Sequence, residues 1–249
     1  CAFRSANGKP AWGSYTVLEP TSTDAQAVAI NTSIATFRAA GGDVMISFGG
    51  VAGTSLAQYY ATKGLSAQEL ANAYAGVIDT YGVTHLDFDI EGAAIADAAA
   101  IALNSSALKL LQQSRPTVQI WYTLPVLPQG LTSDGIKVVQ SALNAGVKLA
   151  GVNVMAMDYG DGPAPTTGAN AQTMGTYAIQ SAQSTYAQLS SVYAASGQTF
   201  GWNQIGVTPM IGVNDITSEV FTVADAQALN SFAVSKGLGM LGYWSVERD

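Results

Sequence analysis

Short apolar runs alternate along the chain with longer segments rich in Ala, Leu and Gln. The apolar runs have the length and composition of buried β-strands, and the segments between them have those of helices. The runs predicted as strands are 1–5, 43–50, 84–91, 119–127, 151–159, 204–212 and 238–246. The segments predicted as helices are, in round bounds, 23–40, 67–81, 93–114, 133–146, 172–196 and 223–236.

Polar residues and glycines mark the ends of several predicted helices. Ser66 with Glu69 predicts a capping box at the start of one helix, and Thr222 with Asp225 is a weaker form of the same signal. Glycines stand where C-terminal helix caps are expected, at Gly41, Gly146 and Gly237. These boundaries support a regular alternation of strand and helix.

The alternation predicts the fold class. Strands that are apolar throughout and separated by helices are typical of a parallel sheet covered on both faces. Over 249 residues, regular βα repetition favours a TIM (β/α)8-type barrel over an open doubly wound sheet, and no Gly-rich phosphate loop follows the first strand. Only seven strands are visible, so either one strand is absent or the pattern conceals it. No Pro- or Ser-rich linker divides the chain, which predicts a single domain over 1–249.

Composition narrows the partners and the chemistry. The net charge of −7 and the pI of about 4.5 argue against nucleic acid and anionic membrane surfaces as partners. Cys1 is the only cysteine and His85 the only histidine, which excludes an intrachain disulfide, Ser-His-Asp and Cys-His catalysis, and histidine-rich metal sites. No signal peptide is visible, and no apolar run approaches the ~20 residues that span a bilayer. No cofactor is expected.

Residues 85–92, HLDFDIEG, place three acids in an apolar run. Asp87, Asp89 and Glu91 stand at every second position, so on a strand their side chains form a column on one face, with steps of about 6.6 Å. Glu91 comes last, at the C-terminal end of the strand, where the active sites of barrels lie. Crowded acids repel one another, so some of their pKa values are expected to rise. A Glu with a raised pKa is a general acid that can protonate a leaving group.

Two other interpretations of these acids are open. A strand end whose acids face solvent or cap the next helix is an ordinary arrangement for one acid, but three alternating acids in an apolar strand argue against it. Carboxylates are also hard ligands for Mg²⁺. No further cluster of Asp and Glu stands at another strand end, so no metal is expected.

Other predicted strand ends carry aromatic side chains and one more acid. These residues are Tyr122, Asp158, Tyr159, Tyr243 and Trp244. Each aromatic residue alone is more often packed in the core or at the rim. Around a general acid at the mouth of a barrel, they together indicate a carbohydrate site.

Four motifs resemble those of glycoside hydrolase family 18, the chitinases and their relatives. LDFDIEG at 86–92 resembles the family's DxxDxDxE signature, and SFGG at 47–50 resembles its third-strand SxGG motif. MAMDY at 155–159 resembles the sixth-strand motif, and YWSVERD at 243–249 resembles the eighth strand with its Trp. The similarity runs through the whole chain in the right order. PAWGSY and YTLPVLPQGL are most similar to the bacterial type that lacks the α+β insertion domain.

The resemblance implies a role for each acid. Glu91 is the general acid and then the general base, and Asp89 orients and stabilises the 2-acetamido group of the substrate. Asp87 shares a proton with Asp89, and Ser47 supports that network. The family uses no enzymic nucleophile: the acetamido oxygen attacks the anomeric carbon and forms an oxazolinium ion, with retention of configuration.

The resemblance also implies which residues bind the sugar. Trp244 forms the floor of the −1 subsite, Met155 lines it, and Asp158 hydrogen-bonds near the reacting sugar. The full set of predicted substrate-binding residues is Ser47, Tyr122, Met155, Met157, Asp158, Tyr159, Met210 and Trp244.

The chain departs from the family pattern in three places. The first Asp of the signature is Thr84 here and its Gly is His85, both upstream of the three acids. Met157 stands where the family has the Tyr that holds the acetamido carbonyl, and Tyr159, two positions later on the same strand face, is a candidate replacement. CAFRSANGKPAWGSY resembles the family's second strand and the loop after it, so the resemblance implies a domain truncated before that strand.

The missing strand and the family bear on assembly and location. A barrel without its first strand has two unpaired edges, so the chain is expected to be a monomer or a dimer through those exposed barrel edges. The family resemblance implies a secreted, extracellular protein.

The resemblance predicts an endo-acting chitinase that hydrolyses β-1,4-linked N-acetylglucosamine, with chitin or chitooligosaccharides as partners. One alternative is a non-catalytic, chitin-binding lectin. Such relatives usually lose the terminal Glu of the signature, and Glu91 is present here. The other alternative is an endo-β-N-acetylglucosaminidase that acts on N-glycans, which shares the acid motif.

Overall fold

A computed structural model of the chain describes residues 3–248. Contacts group the chain into two compact units. The first unit holds the described residues up to Tyr122 together with Ser141–Leu149, and the second holds Thr123–Gln140 and the described residues from Ala150 onward. The single domain over 1–249 stays a prediction. None of the helices within residues 3–248 is long and apolar enough to cross a membrane.

In the first unit, strands and helices alternate as the apolar pattern predicts. Its elements are, in chain order, β1 (Phe3–Ala6), β2 (Lys9–Trp12), α1 (Ala25–Ala39), β3 (Met45–Gly49), α2 (Leu56–Lys63), α3 (Ala67–Tyr81), β4 (His85–Asp89) and α4 (Ala98–Ser114). β1 and β2 form an antiparallel hairpin. β1, β3 and β4 lie side by side in that order, and all three are parallel. β4 therefore has β3 as one neighbour, which brings the SFGG motif beside the three acids.

An aromatic layer packs between these strands and the helices. Phe3, Phe48 and Phe88 stand in register on three neighbouring strands, and the centroids of successive rings are 5.6 and 5.3 Å apart. Successive side chains on a strand point to opposite faces. Since Phe88 faces the helices, Asp87 and Asp89 lie on the other face of β4, as the alternation predicts.

Two capping boxes begin helices of the first unit. At α3, the Ser66 hydroxyl accepts the Glu69 N–H and the Glu69 carboxylate accepts the Ser66 N–H, which confirms the predicted capping box. Ser55 and Gln58 form the same arrangement at the start of α2. The apolar pattern did not predict α2, although the Ser-x-x-Gln spacing was present in the sequence.

The second unit repeats the alternation. Strand β5 (Gln119–Leu127) begins in the first unit and ends in the second. The elements that follow are β6 (Gly130–Leu131), α5 (Ser133–Asn144), β7 (Leu149–Ala156), α6 (Met174–Ala195), β8 (Ile205–Pro209), β9 (Gly212–Val213), β10 (Val220–Phe221), α7 (Val223–Lys236) and β11 (Met240–Leu241). β7, β8 and β11 are parallel neighbours in that order. β9 and β10 form a separate antiparallel pair.

The predicted strands and helices are confirmed, with additions. All seven predicted strands occur, as β1, β3, β4, β5, β7, β8 and β11. Residues 1–2 of the first predicted strand lie outside the described residues. The apolar pattern does not predict β2, β6, β9 and β10, because strands of two to four residues are too short for a periodic apolar signal. It does not predict the eight-residue helix α2 either. Thr222 and Asp225 form a full capping box at α7, and Gly237 ends that helix in the left-handed conformation, φ 69°.

Candidate active site

The three acids lie on and just after β4, beside the SFGG motif of β3. Ser47 stands opposite Asp87 in the strand register, so the two side chains share a face. The Ser47 hydroxyl donates a hydrogen bond of 2.7 Å to Oδ2 of Asp87. Asp87 is buried. The structure thus brings together the Ser47–Asp87 pair that the resemblance implies.

Asp89 and Glu91 form the next part of the column. Burial, followed by the nearby charges of Glu91 and Asp87, raises the pKa of Asp89 from 3.8 to about 8. The interaction between Asp89 and Glu91 raises the pKa of Asp89 further and lowers that of Glu91. Oδ1 of Asp89 is buried and has no hydrogen-bond partner in the described part of the chain. At neutral pH this pair therefore holds a proton that isolated carboxylic acids would have released.

Glu91 stands where the strand ends and the chain turns. Its backbone is extended, with φ −141° and ψ −177°, and a short 3₁₀ helix, Gly92–Ala96, begins directly after it. Burial raises the pKa of Glu91, while hydrogen bonds from the Val51 backbone and from Asp89 act in the opposite direction. The side chain is half-buried. A protonated carboxyl group at a half-buried strand end can deliver its proton to a ligand.

Each of the two glycines of SFGG is required for a different steric reason. Gly49 has φ 109°, and a Cβ at this position would collide with the carbonyl oxygen of Asp89. Gly50 donates its N–H to that same carbonyl at 2.9 Å. A Cβ on Gly50 would stand 2.6 Å from Nη2 of Arg4. Only glycine allows the turn after β3 to lie this close to β4 and to Arg4.

Arg4 belongs to this site, and the sequence analysis did not single it out. Its Nε–H donates to the Gly49 carbonyl at 2.7 Å, and its positive charge lowers the pKa values of both Asp89 and Glu91. The strand register could have identified Arg4. Phe3 pairs with Phe48 on β3, so the next residue, Arg4, points to the opposite, acid-bearing face.

Tyr122 is placed differently from the expectation. It is only 1% exposed, and its ring is edge-on to Phe88 at 6.2 Å between centroids. Phe88 belongs to the helix-facing layer, opposite Asp87 and Asp89. Tyr122 is therefore a packing residue in this structure, because its position on β5 falls on the helix side rather than the acid side.

In the second unit, the predicted residues after β7 form a tied loop. Met155 and Met157 are partly exposed, and Asp158 follows them in the left-handed conformation with φ 48°. Oδ1 of Asp158 accepts the N–H of Ile216 at 2.8 Å, and the Asp158 N–H donates to the side chain of Asn214 at 3.3 Å. This carboxylate thus fastens its loop to the segment between β9 and β10.

The expected orientation of Tyr159 is wrong. Its side chain is buried, and its hydroxyl hydrogen-bonds with Ser181 of α6 at 2.9 Å. The ring lies edge-on to that of Tyr177, 6.2 Å between centroids. The strand ends at Ala156 and Asp158 is left-handed, so the two-residue alternation that would put Tyr159 on the face of Met157 is broken.

A buried acid that the sequence analysis missed holds the same loop. Glu219 is 0% exposed, and its two carboxylate oxygens accept the N–H groups of Tyr159 and Gly160 at 3.2 and 2.7 Å. Burial raises the pKa of Glu219, and the charge of Asp158 adds to this, while the two N–H groups lower it. No local sequence signal identifies Glu219, because its partners Tyr159 and Gly160 are 60 and 59 residues away in the sequence.

Met210 and Trp244 meet at the ends of β8 and the last strand. They form an isolated parallel bridge, and the Trp244 N–H donates to the Pro209 carbonyl at 2.9 Å. Met210 is buried, which makes it a packing residue here rather than an accessible one. Trp244 is 55% exposed, so its ring is available to a ligand. Among residues 3–248, no three His, Cys, Asp or Glu side chains are grouped to hold a metal ion.

Two curated proteins resemble the chain in sequence. A probable bifunctional chitinase/lysozyme of Escherichia coli K12 is 37% identical over 245 residues, which is 96% of this chain. Endochitinase 11 of Metarhizium anisopliae is 37% identical over 223 residues, 88% of this chain. The chain spans 26% and 42% of the lengths of these relatives. No protein-family model matches the chain.

Solved structures are similar over the whole chain. Active domain 2 of a chitinase from Pyrococcus furiosus is 33% identical, with a TM-score of 0.80 over 100% of this chain and 73% of that one. Crystals of that domain's catalytic-site mutants with chito-oligosaccharides give a TM-score of 0.81 at 32% identity, covering 100% of this chain and 74% of that one. A family 18 chitinase of Pseudoalteromonas aurantia shares the fold at 15% identity, with a TM-score of 0.60 over 98% of this chain and 84% of that one.

These likenesses confirm the predicted α/β fold of TIM-barrel type. They agree with the motif evidence, in which the acids on β4 and the SFGG turn beside them are adjacent in space. The chain belongs to glycoside hydrolase family 18, the family of the chitinases.

Proposed function

We propose that the chain is an endo-acting chitinase that hydrolyses β-1,4-linked N-acetylglucosamine by a substrate-assisted, retaining mechanism. The observation that carries the proposal is the proton held by Asp89 and Glu91, where burial raises both pKa values. A pair of carboxyl groups that shares a proton, with one member at the end of the strand, provides what a general acid requires.

In the proposed reaction, Glu91 donates its proton to the glycosidic oxygen as the bond to the anomeric carbon breaks. The acetamido oxygen of the sugar attacks that carbon and forms the oxazolinium ion. Asp89 stabilises the acetamido group during this step. Asp87, held by its hydrogen bond from Ser47, keeps the pKa of Asp89 raised. The Glu91 carboxylate then takes a proton from water, whose oxygen adds to the anomeric carbon and restores the acetamido group.

The similar proteins supply the substrate class. The Pyrococcus furiosus domain was crystallised with chito-oligosaccharides, and the Metarhizium anisopliae relative is named an endochitinase. Trp244 would carry the sugar at the −1 subsite, since its ring is exposed. Met155, Met157 and Asp158 are the further sugar-binding residues that the family resemblance implies in the second unit. Action on extracellular chitin, and therefore secretion, is part of the proposal.

Peptidoglycan is a second candidate substrate. The relative of Escherichia coli K12 is named a chitinase/lysozyme and matches 96% of this chain at 37% identity. Peptidoglycan also contains β-1,4-linked N-acetylglucosamine, so the same acid and the same acetamido chemistry would apply. A turbidity assay on cell-wall preparations separates this activity from chitin hydrolysis.

The deciding experiment is hydrolysis of a fluorogenic chitobiose or chitotriose substrate by the chain and by Glu91→Gln. We expect a loss of about 10²- to 10⁴-fold in kcat for the variant, because the general acid is replaced by a neutral amide. Glu19→Gln is the matched control, since Glu19 pairs with Lys9 at the surface. It should retain the parent rate.

Other outcomes identify the alternatives. Binding of chitin oligomers in calorimetry without any hydrolysis would favour a chitin-binding lectin. Release of glycan from a glycoprotein, with chitin untouched, would favour an endo-β-N-acetylglucosaminidase. Equal hydrolysis by the parent chain and Glu91→Gln would refute the assignment of Glu91.

A further inference from the structure

We propose that Arg4 is a positioning residue of this active site. Its guanidinium group holds the Gly49–Gly50 turn against the acid strand, so that the Val51 N–H points at Glu91, and its positive charge faces the Asp89–Glu91 pair. The inference rests on the proposed function in so far as Glu91 is the acid of the reaction. It adds to that function a residue that none of the family motifs contains.

The strand register places Arg4 on the acid face. Phe3 is opposite Phe48 on β3, and Phe48 is opposite Phe88 on β4. The next position along each strand points the other way. The row after the three phenylalanines is therefore Arg4, Gly49 and Asp89. Arg4 supplies the cation of this row, and Gly49 leaves the space between that cation and the acid strand.

The turn after β3 is held from two sides. Arg4 Nε–H donates to the Gly49 carbonyl at 2.7 Å, and the Gly50 N–H donates to the Asp89 carbonyl at 2.9 Å. The guanidinium group lies over Gly50, where a Cβ would be 2.6 Å from Nη2. The side-chain stem runs past Gly53, where a Cβ would be 3.2 Å from Cδ. Gly50 and Gly53 thus leave room along the path of one arginine.

The turn connects Arg4 to the acid. Val51 follows the two glycines and lies beside the chain at Glu91, since a Cβ on Gly92 would be 3.7 Å from the Val51 carbonyl oxygen. The Val51 backbone N–H lowers the pKa of Glu91. The side chain of Val51 is 72% exposed, so this residue is held by its backbone rather than by packing. The Gly49 carbonyl that Arg4 binds lies two residues before that N–H group. Loss of Arg4 would therefore loosen the donor that orients the Glu91 carboxyl group.

Charge provides a second, separable effect. The titratable and charged groups that act on Glu91 in the first unit are Asp89 from β4 and Arg4 from β1, while the turn after β3 offers only backbone. Asp87 acts on Asp89. Arg4 makes no ion pair at contact distance with a carboxylate among the described residues, so its field acts on the Asp89–Glu91 pair as a whole. Without this cation, the acids keep their protons to higher pH.

Three substitutions separate the two effects. Arg4→Met removes both the hydrogen bond and the charge, Arg4→Gln keeps a donor for the Gly49 carbonyl without the charge, and Arg4→Lys keeps the charge without the planar fork. Arg115→Met is the matched control, because it also removes one positive charge from the first unit, at an exposed ion pair with Asp79.

The first measurement is the pH dependence of kcat/KM on chitotriose. Arg4→Met should lower kcat about tenfold with KM nearly unchanged, and move the alkaline limb up by roughly one pH unit. Arg4→Gln should show the same upward shift of the alkaline limb as Arg4→Met, with a smaller loss of kcat. Arg4→Lys should keep the alkaline limb of the parent chain but have a reduced kcat. Profiles of Arg4→Met and Arg115→Met that superimpose after scaling would overturn the proposal.

The second measurement is independent of activity. Titration of the ¹³C-labelled carboxyl groups of Asp89 and Glu91 by NMR should give higher pKa values in Arg4→Met than in the parent chain. If the parent hydrolyses no substrate, the proposed function fails while this titration still decides whether Arg4 faces the pair. Should Arg4→Met not fold, Arg4→Gln carries both tests, and unchanged carboxyl pKa values in it would overturn the proposal.

Discussion

Two aspartates, Asp89 half-buried in the first unit and Asp225 buried in the second, show opposite pKa shifts. Asp89 in the first unit has a pKa raised to about 8, through burial first and then the charges of Glu91 and Asp87. Asp225 in the second unit is also buried, which raises its pKa, but hydrogen bonds from Thr222, Thr173 and the Gly175 backbone outweigh burial and leave the pKa lowered. The two regions differ in how many hydrogen-bond donors surround the carboxyl group.

The donors around Asp225 are part of the secondary structure. Its carboxylate accepts the N–H and the hydroxyl of Thr222 at 2.8 and 2.6 Å and the N–H of Gly175 at 2.9 Å. Asp89 has an acid for a neighbour and a buried Oδ1 without a partner among the described residues. Burial therefore does not decide whether a carboxyl group is structural or reactive; the supply of donors does.

Glu219 lies between these extremes. It has two backbone N–H donors but is fully buried and close to Asp158, and its pKa is raised. Two donors are not enough to offset burial when another acid is near. We therefore predict that Asp225 and Glu219 have structural roles and that Asp89 takes part in the reaction.

The largest expected effect comes from making Asp89 neutral. Asp89→Asn should lower kcat on chitotriose by about 10²- to 10⁴-fold, because the amide cannot share the proton with Glu91 or stabilise the acetamido group in the same way. Its free energy of unfolding should not fall, since a costly buried acid has been removed. A variant that keeps its rate and loses stability would place Asp89 in the structural class.

Asp225→Asn should show the reverse pattern. We expect a loss of about 1–3 kcal/mol in the free energy of unfolding, measured with urea, because the carboxylate that accepts from Thr222 and Gly175 is replaced by a weaker acceptor. The kcat on chitotriose should stay within twofold of the parent. Thr222→Ser, which keeps the hydroxyl of the cap, is the mild control.

The two aspartates should also give opposite pH dependence of stability. The folded protein keeps the Asp89 proton up to about pH 8, whereas an unfolded chain releases it near 3.8. Between these values the folded state binds more protons, so stability falls as pH rises, by up to about 1.4 kcal/mol per pH unit. Asp225 has a lowered folded pKa, so its contribution is present above its usual 3.8 and is lost as pH falls.

Urea unfolding from about pH 2 to pH 8 tests this pair of signs, because the contribution of Asp225 is lost only below its usual pKa of 3.8. Asp89→Asn should flatten the decline toward high pH, and Asp225→Asn should flatten the loss on the acid side. A parent chain whose stability rises steadily from pH 5 to pH 8, unchanged by Asp89→Asn, would contradict the raised pKa.

The smallest expected effect belongs to Glu219. Glu219→Gln stabilises the folded state by removing a charge beside Asp158, and destabilises it because the amide N–H₂ faces one of the two backbone N–H donors and cannot accept from it. These two effects on the free energy of unfolding partly cancel. We expect about 1 kcal/mol of lost stability. A loss of unfolding free energy as large as that of Asp225→Asn would show that the two N–H hydrogen bonds to Glu219 stabilise the fold more than the charge of Asp158 destabilises it. Glu247→Gln, at the surface near the C-terminus, is the control.

Features that depend on a local period were predictable from the sequence. The alternation of Asp87, Asp89 and Glu91 placed them on one face because a strand repeats every two residues. The capping boxes at Ser66 and Thr222 could be recognised because their partners are three residues away. The seven predicted strands followed from apolar runs separated by helices.

The prediction for Tyr159 failed for a specific reason. It extended a two-residue period past Ala156, where the strand ends, and one left-handed residue, Asp158, turned the next side chain toward α6. Tyr122 is an aromatic residue at a predicted strand end, and Met210 belongs to the set of predicted substrate-binding residues; both are buried, because residue type does not reveal which face a side chain occupies.

The sequence by itself therefore determined the order of strands and helices, the acid column and the family, since each depends on residues near one another in the chain. Tertiary structure alone decided that Arg4 faces the acids and that Glu219 holds the loop of Asp158. The bond from Arg4 to Gly49 spans 45 residues and that from Glu219 to Gly160 spans 59. Such pairs form only when strands and loops distant in sequence pack together, and no local period or propensity encodes them.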